Sequence, residues 1–312
     1  MAAPETPGPW DAIIVGGGPA GLSAALVLGR CRRNVLLFDE GKPRNQVSHA
    51  VHGFLSRDGI APAELRAISQ EQLARYPSVR ADRSRIVDAT RSGNGFVVRT
   101  DDGRGFRARK LLLAAGVVDA VPEQPGFRRL YGVAVFHCPY CDGWEMRDRR
   151  LAVYGRGDHK GGGMALEMTL WSRDVVLCTD GPSGLSDRCR RRLERHGIAV
   201  REERILRLEG GGGVPYRASF EIVFEAGPRL GRDAVFFNTR CHPSTDLAQR
   251  LGPGACHSRG CTVDNKEQVT QVPGLYIAGD ASRDVLQAVV AAAEGAEAAI
   301  GINTALLRED LA

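Results

Sequence analysis

The sequence predicts an α/β protein that contains two Rossmann-like nucleotide-binding domains. Its 312 residues suit two domains of about 100 to 200 residues each. A pattern of apolar strand, glycine-rich turn, helix and second strand occurs twice, at residues 11–39 and again from residue 151. Because this pattern builds the mononucleotide-binding half of a Rossmann domain, each copy indicates one such domain.

The first copy carries a complete dinucleotide-binding fingerprint. An apolar run, AIIV, leads into the turn GGGPAG, the helical segment LSAALVLGRC and a second apolar run, NVLLFD. Gly16, Gly18 and Gly21 form the pattern GxGxxG, and Asp39 lies 23 residues after Gly16. Glycine lets the backbone approach a pyrophosphate, the helix N-terminus offers free N–H groups, and the acidic residue can hold a ribose hydroxyl. We therefore predict a dinucleotide site at this turn.

The second copy departs from this fingerprint. Its turn contains Gly155 and Gly157, but the glycines at 161–163 add a position before the helix. The next strand ends in Thr179 and Asp180, where a 2′-phosphate requires basic residues. The sequence thus predicts a Rossmann-like domain but does not favour an NAD(P)H site in it.

A segment near the C-terminus also suits a polar cofactor. The run GLYIAGD predicts a strand at 275–278 followed by Gly279 and Asp280, and an alanine-rich helix is predicted from about Val285. Asp280 is placed to hold a cofactor hydroxyl beside a helix N-terminus. A plain strand-to-helix turn with a helix cap is the alternative. The glycine-rich run at 209–214 predicts a hairpin loop.

The segment FHCPYCDGW holds a potential reactive pair. Cys138 and Cys141 form a CxxC motif, with His137 directly before it and Asp142 directly after it. Such a pair can be a metal clip, a structural bridge or a redox centre. A zinc site would need two further ligands, and the other cysteine–histidine combinations lack the paired spacing of a zinc clip. These combinations are Cys241 with His242, and Cys256 and His257 with Cys261.

Cysteine usage disfavours a structural bridge. Eight cysteines in 312 residues are too few for a disulfide scaffold. The first residues, MAAPETPGPWD, lack the pattern of a secretory signal, so we predict a disordered leader at 1–10 and a cytoplasmic protein. In that compartment a CxxC pair is more often catalytic or metal-binding. Three further cysteines are expected to be buried free thiols, namely Cys31, Cys178 and Cys189.

Composition and charge exclude two classes of partner. The formal net charge of +5 comes mainly from scattered arginines, and the densest run, at 187–197, has the spacing of one solvated helix face. No aromatic residues alternate with these arginines to stack bases, so nucleic-acid binding is not predicted. No run reaches the roughly 18 apolar residues of a membrane span.

Four motifs together resemble a known family. IIVGGGPAGLSAAL, LLLAAGV, CPYCDG and GLYIAGDASRD occur in the order found in low-molecular-weight thioredoxin reductases. The resemblance implies a thioredoxin reductase-like fold of three-layer ββα/βαβ type, in which the second domain is inserted into the first. It implies an FAD domain at 11–117 and 246–312, an inserted NAD(P)-binding-like domain with the CxxC at 118–245, and a homodimer.

The resemblance also assigns roles to residues. It implies that Cys138 and Cys141 exchange electrons with FAD and that Asp142 serves as acid/base. The residues that it implies for FAD binding are Gly16, Gly18, Pro19, Ala20, Gly21, Asp39, Glu40, Arg44, Asn45, His52, Ala115, Gly116, Gly279, Asp280, Leu286 and Gln287. The family's NADPH fingerprint, GxGxxA followed by HRR, is replaced by GRGDHKG and CTDG.

Within the family, the sequence is similar to the flavin dithiol oxidases of gliotoxin-type and holomycin-type natural products. This branch shares the CPYC filling, the segment DEGKPRN…SHAVHGF and the loss of the NADPH fingerprint. The similarity implies an enzyme of antibiotic biosynthesis that passes electrons from a small-molecule dithiol through the CxxC and FAD to oxygen. The alternatives are an NAD(P)H-dependent reductase that acts on thioredoxin or a small disulfide, and a non-catalytic flavin-binding redox sensor.

The chemistry of thiol exchange limits the possible roles at the pair. Only a thiolate attacks sulfur, so one cysteine needs a lowered pKa and a proton acceptor nearby. By resemblance, Cys138 meets the substrate and Cys141 contacts the flavin, although these two roles could be reversed. Asp142 or His137 is expected to move the proton, since imidazole titrates near neutral pH. His137 could instead be a turn histidine, and His49 and His52 have the character of loop histidines.

Overall fold

The structure is a computed structural model of the chain and describes residues 9–252, 270–282 and 285–312. The chain divides into two compact units. Unit 1 comprises the described residues up to Gln46, Phe54–Val118 and the described residues from His242 onward, and unit 2 comprises Val47–Gly53 and Asp119–Cys241.

The first stretch of chain forms most of unit 1. Its helices and strands are β1 (Trp10–Val15), α1 (Pro19–Arg30), β2 (Val35–Phe38), α2 (Pro62–Leu73), β3 (Val79–Asp82), β4 (Ile86–Ser92), β5 (Gly95–Thr100), β6 (Gly105–Leu113) and β7 (Val117–Asp119). A short 3-10 turn, Arg44–Val47, follows β2.

The middle of the chain forms most of unit 2. Its elements are α3 (Phe127–Leu130), β8 (Val135–Phe136), α4 (Pro139–Asp142), β9 (Leu151–Tyr154), α5 (Met164–Met168), β10 (Val175–Cys178), α6 (Asp187–Arg195), β11 (Ala199–Arg201), β12 (Ile205–Gly210), β13 (Phe220–Phe224), β14 (Leu230–Arg232), β15 (Ala234–Phe237) and β16 (Cys241–Pro243). The chain then returns to unit 1 with α7 (Leu247–Leu251), β17 (Leu275–Ile277) and α8 (Ala288–Asp310).

Unit 1 is built on a seven-stranded sheet. Strands β3, β2, β1, β6 and β17 run parallel, and β4 and β5 add an antiparallel ribbon to the first half of β6. The apolar side chains alternate between two faces, so one core packs under α1 and α8 and a second core packs on the opposite face with α7.

Unit 2 contains a five-stranded parallel sheet in the order β11-β10-β9-β15-β8. A separate antiparallel sheet, β12-β13-β14, shares one of its two cores. The two predicted Rossmann-like folds are therefore confirmed. The hairpin predicted at 209–214 connects β12 to β13, but its loop comprises 211–219, because Glu209 and Gly210 still pair with β13.

The turn of the second Rossmann copy contains the additional residue that its glycines suggest. Residues Gly157–Gly163 form a π-helical turn that continues into α5, and a π turn holds one more residue than an α turn. Gly161 packs against the Gly155 carbonyl, where an added Cβ would come within 2.8 Å of the oxygen.

Three sequence predictions need correction. The leader predicted for 1–10 is too long, because Trp10 pairs with Ala108 in the sheet; residues 1–8 lie outside the described residues. The C-terminal helix begins at Ala288 and not at Val285. Cys31 is exposed because it caps the end of α1, whereas Cys178 and Cys189 are buried as predicted.

Helix α8 is long and apolar enough to be a candidate membrane span. Its small residues face α1, and at Gly295 an added Cβ would lie 1.9 Å from the carbonyl oxygen of Ala20. Ala298, Ala299 and Ile302 are fully buried in the same core. These contacts are those of a core helix in a folded domain, so the helix gives no support to a membrane location.

Candidate active site and cofactor-binding residues

The predicted FAD residues of unit 1 emerge at one edge of its sheet. Val15 is paired with Phe38 and with Leu113, and Leu113 is paired with Ile277. Each of these four residues ends a parallel strand, so the segments that follow them leave the sheet together. In open α/β sheets this carboxyl edge is where ligands bind.

The glycines of the first turn have different reasons for being glycine. Gly16 has φ of +112°, and a Cβ on it would lie 2.3 Å from the Ala114 carbonyl oxygen. A Cβ on Gly21 would lie 1.8 Å from the Gly16 carbonyl oxygen, so α1 can pack against β1 only without one. Gly18, by contrast, has no heavy atom within 4 Å of its Cβ position. Its glycine keeps an approach to the turn open.

The N-terminus of α1 suits an anion. The helix begins with Pro19 in its first turn, and Gly18 supplies no side-chain cap to the free backbone N–H groups. Ala20 is buried beneath this turn. An uncapped helix of 12 residues whose N-cap Cβ position is open forms a cradle for a pyrophosphate.

Asp39 has a partner that the sequence did not indicate. Its Oδ2 lies 2.5 Å from an Arg66 guanidinium nitrogen, and its Oδ1 accepts the Gly41 N–H at 3.0 Å. Asp39 packs against Gly17, where a Cβ would lie 2.2 Å from the Asp39 Cγ. Glu40 is exposed and lies 3.4 Å from Lys42. Binding of a ribose by Asp39 remains a prediction.

Arg44 and Asp280 lie together although they are 236 positions apart in the sequence. Nη1 of Arg44 donates to Oδ2 of Asp280 at 2.8 Å, and both side chains are largely buried. Asn45 follows Arg44 in the 3-10 turn. The pair brings two predicted FAD residues from the two ends of the unit to one place.

The turn at Gly279 is fixed by a buried carboxylate that the sequence did not identify. Oε2 of Glu294 accepts the Gly279 N–H at 2.7 Å and the Ser282 hydroxyl at 2.8 Å. Gly279 has φ of +84°, which favours glycine, and its Cβ would lie 3.0 Å from that of Ala20. Leu286 and Gln287 lie just before α8, and Gln287 is its N-cap residue.

Ala115 and Gly116 follow β6 at the same edge. Ser244 donates its hydroxyl to the Ala115 carbonyl at 2.7 Å and its N–H to the Gly116 carbonyl at 3.1 Å. Ser244 thus holds a turn whose Gly116 has φ of +70°. Its distance of 129 positions from Ala115 explains why no local pattern reveals it.

The CxxC pair lies in unit 2 at the carboxyl edge of β8. Phe136 ends this strand, and Pro139 begins the single turn α4 that places Cys138 and Cys141 side by side. Their sulfurs form a disulfide with a Cα–Cα distance of 5.2 Å. Both cysteines are half-buried, so exposure does not distinguish the one that meets the substrate.

Asp142 is buried beside the pair, with 7% of its surface exposed. Burial raises the pKa of its carboxyl to about 6, and the charge of Glu145 adds to this rise. A hydrogen bond from the Tyr216 hydroxyl at 3.1 Å and the charge of His52 oppose the rise in pKa. A carboxyl that titrates near pH 6 can exchange protons at neutral pH.

His137 has a different set of partners. The Tyr131 hydroxyl donates to Oδ2 of Asp119 at 2.8 Å and lies 3.0 Å from Nδ1 of His137. Because a phenol has only one hydrogen, Nδ1 of His137 must be the donor in the second contact. This chain of contacts keeps a hydrogen on Nδ1 of His137.

His52 belongs to unit 2, whereas the other predicted FAD residues belong to unit 1. Its Nε2 lies 3.5 Å from Oε1 of Glu145, and the ring of His49 lies edge-on to Tyr216 with centroids 6.1 Å apart. The predicted contact between His52 and a flavin remains a prediction.

A nucleotide in a Rossmann-like domain binds at the carboxyl ends of the strands. In unit 2 this position, called the nucleotide corner below, is formed by Arg156, Thr179 and Asp180. Asp180 is buried, and its carboxylate accepts hydrogen bonds from the Ile205 N–H and the Gln124 amide, each at 2.8 Å. Nε of Arg156 donates to the Thr179 carbonyl at 2.6 Å, and another of its nitrogens donates to the Asp180 carbonyl. Arg156 therefore folds onto the strand end and neutralises part of its negative charge.

Asp158 lies in the π turn that corresponds to the glycine-rich loop of a nucleotide site. The Ser186 N–H and hydroxyl donate to its carboxylate at 2.7 and 2.6 Å. These hydrogen bonds lower the pKa of Asp158, so it is charged at neutral pH. An anion at the start of this helix opposes the binding of a pyrophosphate.

No metal-binding cluster of three or more histidine, cysteine or acidic residues occurs within 9–252, 270–282 and 285–312. Cys241, which the zinc alternative would use, is exposed. Cys256, His257 and Cys261 lie outside the described residues.

Comparison with known proteins identifies the family. Residues 10–296 match the family described as pyridine nucleotide-disulphide oxidoreductase. A probable thioredoxin reductase from Arthroderma benhamiae is 30% identical over 302 residues, which cover 88% of this chain and 74% of that protein. Thioredoxin reductase tcpT from Claviceps purpurea is 31% identical, with 86% of each chain covered. The crystal structure of HlmI is 33% identical with a TM-score of 0.89, covering 98% of this chain and 95% of that one.

The chain belongs to the pyridine nucleotide-disulphide oxidoreductase family. The resemblance to thioredoxin reductase-like flavoproteins, and within them to the gliotoxin and holomycin branch, is confirmed. The protein is thus a disulfide oxidoreductase of a flavin-binding family. The uncapped α1 and the open position at Gly18 fit FAD.

Proposed function

We propose that the protein is an FAD-dependent dithiol oxidase, which closes an intramolecular disulfide in a small-molecule dithiol with oxygen as the electron acceptor. The observation that carries the proposal is the nucleotide corner of unit 2. A buried carboxylate, Asp180, stands where the 2′-phosphate of NADPH needs cations, and Asp158 adds a charge at the pyrophosphate position. A dithiol as electron donor needs neither position.

The first half of the proposed reaction is disulfide exchange. A substrate thiolate attacks Sγ of Cys138, the bond to Cys141 breaks, and Cys141 leaves as a thiolate. The second substrate thiol loses its proton and attacks the substrate sulfur of the mixed disulfide, so Cys138 leaves in turn. The substrate loses two electrons and two protons, and the cysteine pair holds the electrons.

Asp142 is the proposed proton acceptor for these steps. Its carboxyl is buried beside the pair and titrates near pH 6, so at neutral pH the carboxylate form is available. His137 is the second candidate, since its Nδ1–H is held by Tyr131. The chemistry that bound FAD supplies is oxidation of the reduced pair and delivery of two electrons to oxygen, which gives hydrogen peroxide.

Oxygen consumption with a small dithiol such as dithiothreitol tests the proposal. We expect sustained consumption, with one hydrogen peroxide formed for each disulfide closed. A single stoichiometric oxidation that then stops would support a flavin-binding redox sensor and overturn the oxidase.

An NAD(P)H-dependent reductase is the second candidate because two relatives carry the name thioredoxin reductase. It predicts rapid oxidation of NADPH in the presence of thioredoxin or a small disulfide, followed at 340 nm. If the protein is an oxidase, its rate of NADPH oxidation should be no higher than that of the Cys138→Ser variant.

A further inference from the structure

Four side chains surround the Asp142 carboxyl or the residues that contact it, and none has a role in the exchange steps above. They come from three separate segments of unit 2 and are Tyr216, Glu145, His52 and His49. Neither Tyr216 nor Glu145 is part of a motif in the sequence. Glu145 lies four positions after Cys141, whereas Tyr216 reaches the CxxC pair only in the folded chain.

Tyr216 lies in a loop, yet contacts from its ring and its backbone fix its position. Its backbone has φ of 63°, in the left-handed region that a bulky residue rarely adopts. Its ring stacks on Phe136 at 5.6 Å, and its N–H donates to the Val133 carbonyl at 3.1 Å. A strained backbone persists where surrounding contacts fix it, and here they aim the hydroxyl at Asp142.

The direction of the Tyr216 contact follows from its burial. Burial and the Asp142 charge raise the pKa of Tyr216 well above its usual value, so its hydroxyl stays protonated and donates to Oδ1 of Asp142. A donated hydrogen bond is stronger to a carboxylate than to a neutral acid. Tyr216 therefore favours the charged form of Asp142.

Glu145 acts in the opposite direction. It lies three positions after Asp142, and its negative charge disfavours a second carboxylate nearby. His52 pairs with Glu145 at 3.5 Å, so its charge when protonated offsets part of this effect. The Tyr216 hydrogen bond and the charge of His52 thus favour the Asp142 carboxylate, and the charge of Glu145 disfavours it.

We propose that Tyr216 and Glu145 are positioning residues that act on Asp142 in opposite directions, Tyr216 favouring the carboxylate and Glu145 favouring the protonated acid. The inference deepens the proposed function and rests on the use of Asp142 in thiol exchange, whichever way electrons flow. When a thiol at the pair transfers its proton, a thiolate and a neutral Asp142 form. Glu145 stabilises that neutral product, and Tyr216 favours release of the proton to water afterwards.

The test follows the Asp142 proton directly and needs no turnover. The difference infrared spectrum between the protein and its Asp142→Asn variant isolates the carbonyl band of the protonated acid, and its loss with rising pH gives a midpoint. We expect a midpoint near pH 6 in the unaltered protein. Tyr216→Phe should raise the midpoint by about one pH unit, and Glu145→Gln should lower it.

The matched control is Tyr154→Phe. This residue also places a tyrosine hydroxyl 3.4 Å from a buried aspartate, Asp180, but it packs against a different core cluster from Tyr216. It should leave the Asp142 midpoint unchanged. The rate at which dithiothreitol reduces the disulfide under anaerobic conditions should fall as the pH drops below the same midpoints.

Two results would overturn the inference: midpoints that shift in the same direction in Tyr216→Phe and Glu145→Gln, or midpoints that do not shift while exchange slows equally at every pH. Should Tyr216→Phe fail to fold, the Glu145→Gln midpoint alone decides, because its expected shift is downward. If oxygen is not consumed but the midpoints shift as expected, the oxidase is wrong and the inference stands.

Discussion

Burial of the Asp142 carboxyl affects folding stability as well as the proposed proton transfer. The pKa is raised from 3.8 to about 6, so the native chain binds a proton more tightly than the unfolded chain. Stability from this group is therefore present below about pH 4 and is lost as pH rises through 6. At neutral pH the group destabilises the fold.

We expect Asp142→Asn to be more stable than the unaltered protein at pH 7. The amide oxygen can still accept the Tyr216 hydrogen bond, while the buried charge is removed. The gain in the free energy of unfolding is at most about 3 kcal/mol, from a rise of roughly two pKa units. Urea unfolding at pH 7 and pH 4 checks this prediction, and the gain should vanish at pH 4. Lower stability at pH 7 would contradict the raised pKa.

The cysteine pair gives a second prediction at the residue scale. Cys138→Ser and Cys141→Ser should each lower dithiol oxidation at least about a thousandfold, because neither variant can close the disulfide. Flavin content, measured by absorbance, should not change. The control is Cys31→Ser, which alters an exposed free thiol at the end of α1 and should retain activity. Full turnover in both pair variants would refute the assigned site.

At the scale of elements, substitutions at two glycines distinguish the packing of α1 against α8 from the binding of the cofactor. Gly295→Ala places a Cβ against the Ala20 carbonyl, so it should force the two helices apart and lower both the melting temperature and the FAD affinity. Gly18→Ala meets no protein atom and lies at an ordinary φ of −78°. It should leave the apoprotein's melting temperature within a few degrees while weakening FAD binding.

Flavin release measured by equilibrium dialysis, together with apoprotein melting, distinguishes these two effects. Equal losses of melting temperature in the two variants would mean that Gly18 serves packing alone. Unchanged FAD affinity in Gly18→Ala would show that the pyrophosphate does not approach this turn.

The elements that the sequence could predict are those with a local signature. The GxGxxG turn, the GD turn and CPYC each occupy a few consecutive residues, and the strand–turn–helix patterns around them set the fold. Ser244, Arg66 and Glu294 could not be predicted, because each acts on a segment brought near only by tertiary contacts. For the same reason the clustering of Val47–Gly53 with unit 2 had no sequence signal.

At the scale of the whole molecule, we propose the homodimer that the resemblance implies. Light scattering of the FAD-loaded protein should give twice the 33.7 kDa of one chain. A mass of one chain over the micromolar range would contradict this. The cytoplasmic location likewise remains a proposal, and cell fractionation would test it.

The direction of electron flow distinguishes the proposed oxidase from a reductase, because the same fold and cysteine pair could serve either enzyme. The proposal of an oxidase rests on the corner of unit 2 where Asp180 and Arg156 contact each other and the strand end. An enzyme that accepts electrons from a dithiol has no use for this corner. One that accepts them from NADPH must open it.

Anaerobic mixing of the FAD-loaded protein with each electron donor tests the direction of electron flow. Flavin absorbance near 450 nm is followed after addition of a dithiol, NADPH or NADH. We expect rapid bleaching by the dithiol, which disappears in Cys138→Ser, and no bleaching by NADPH or NADH on the same time scale. Rapid bleaching by NADPH, with none by the dithiol, would contradict it.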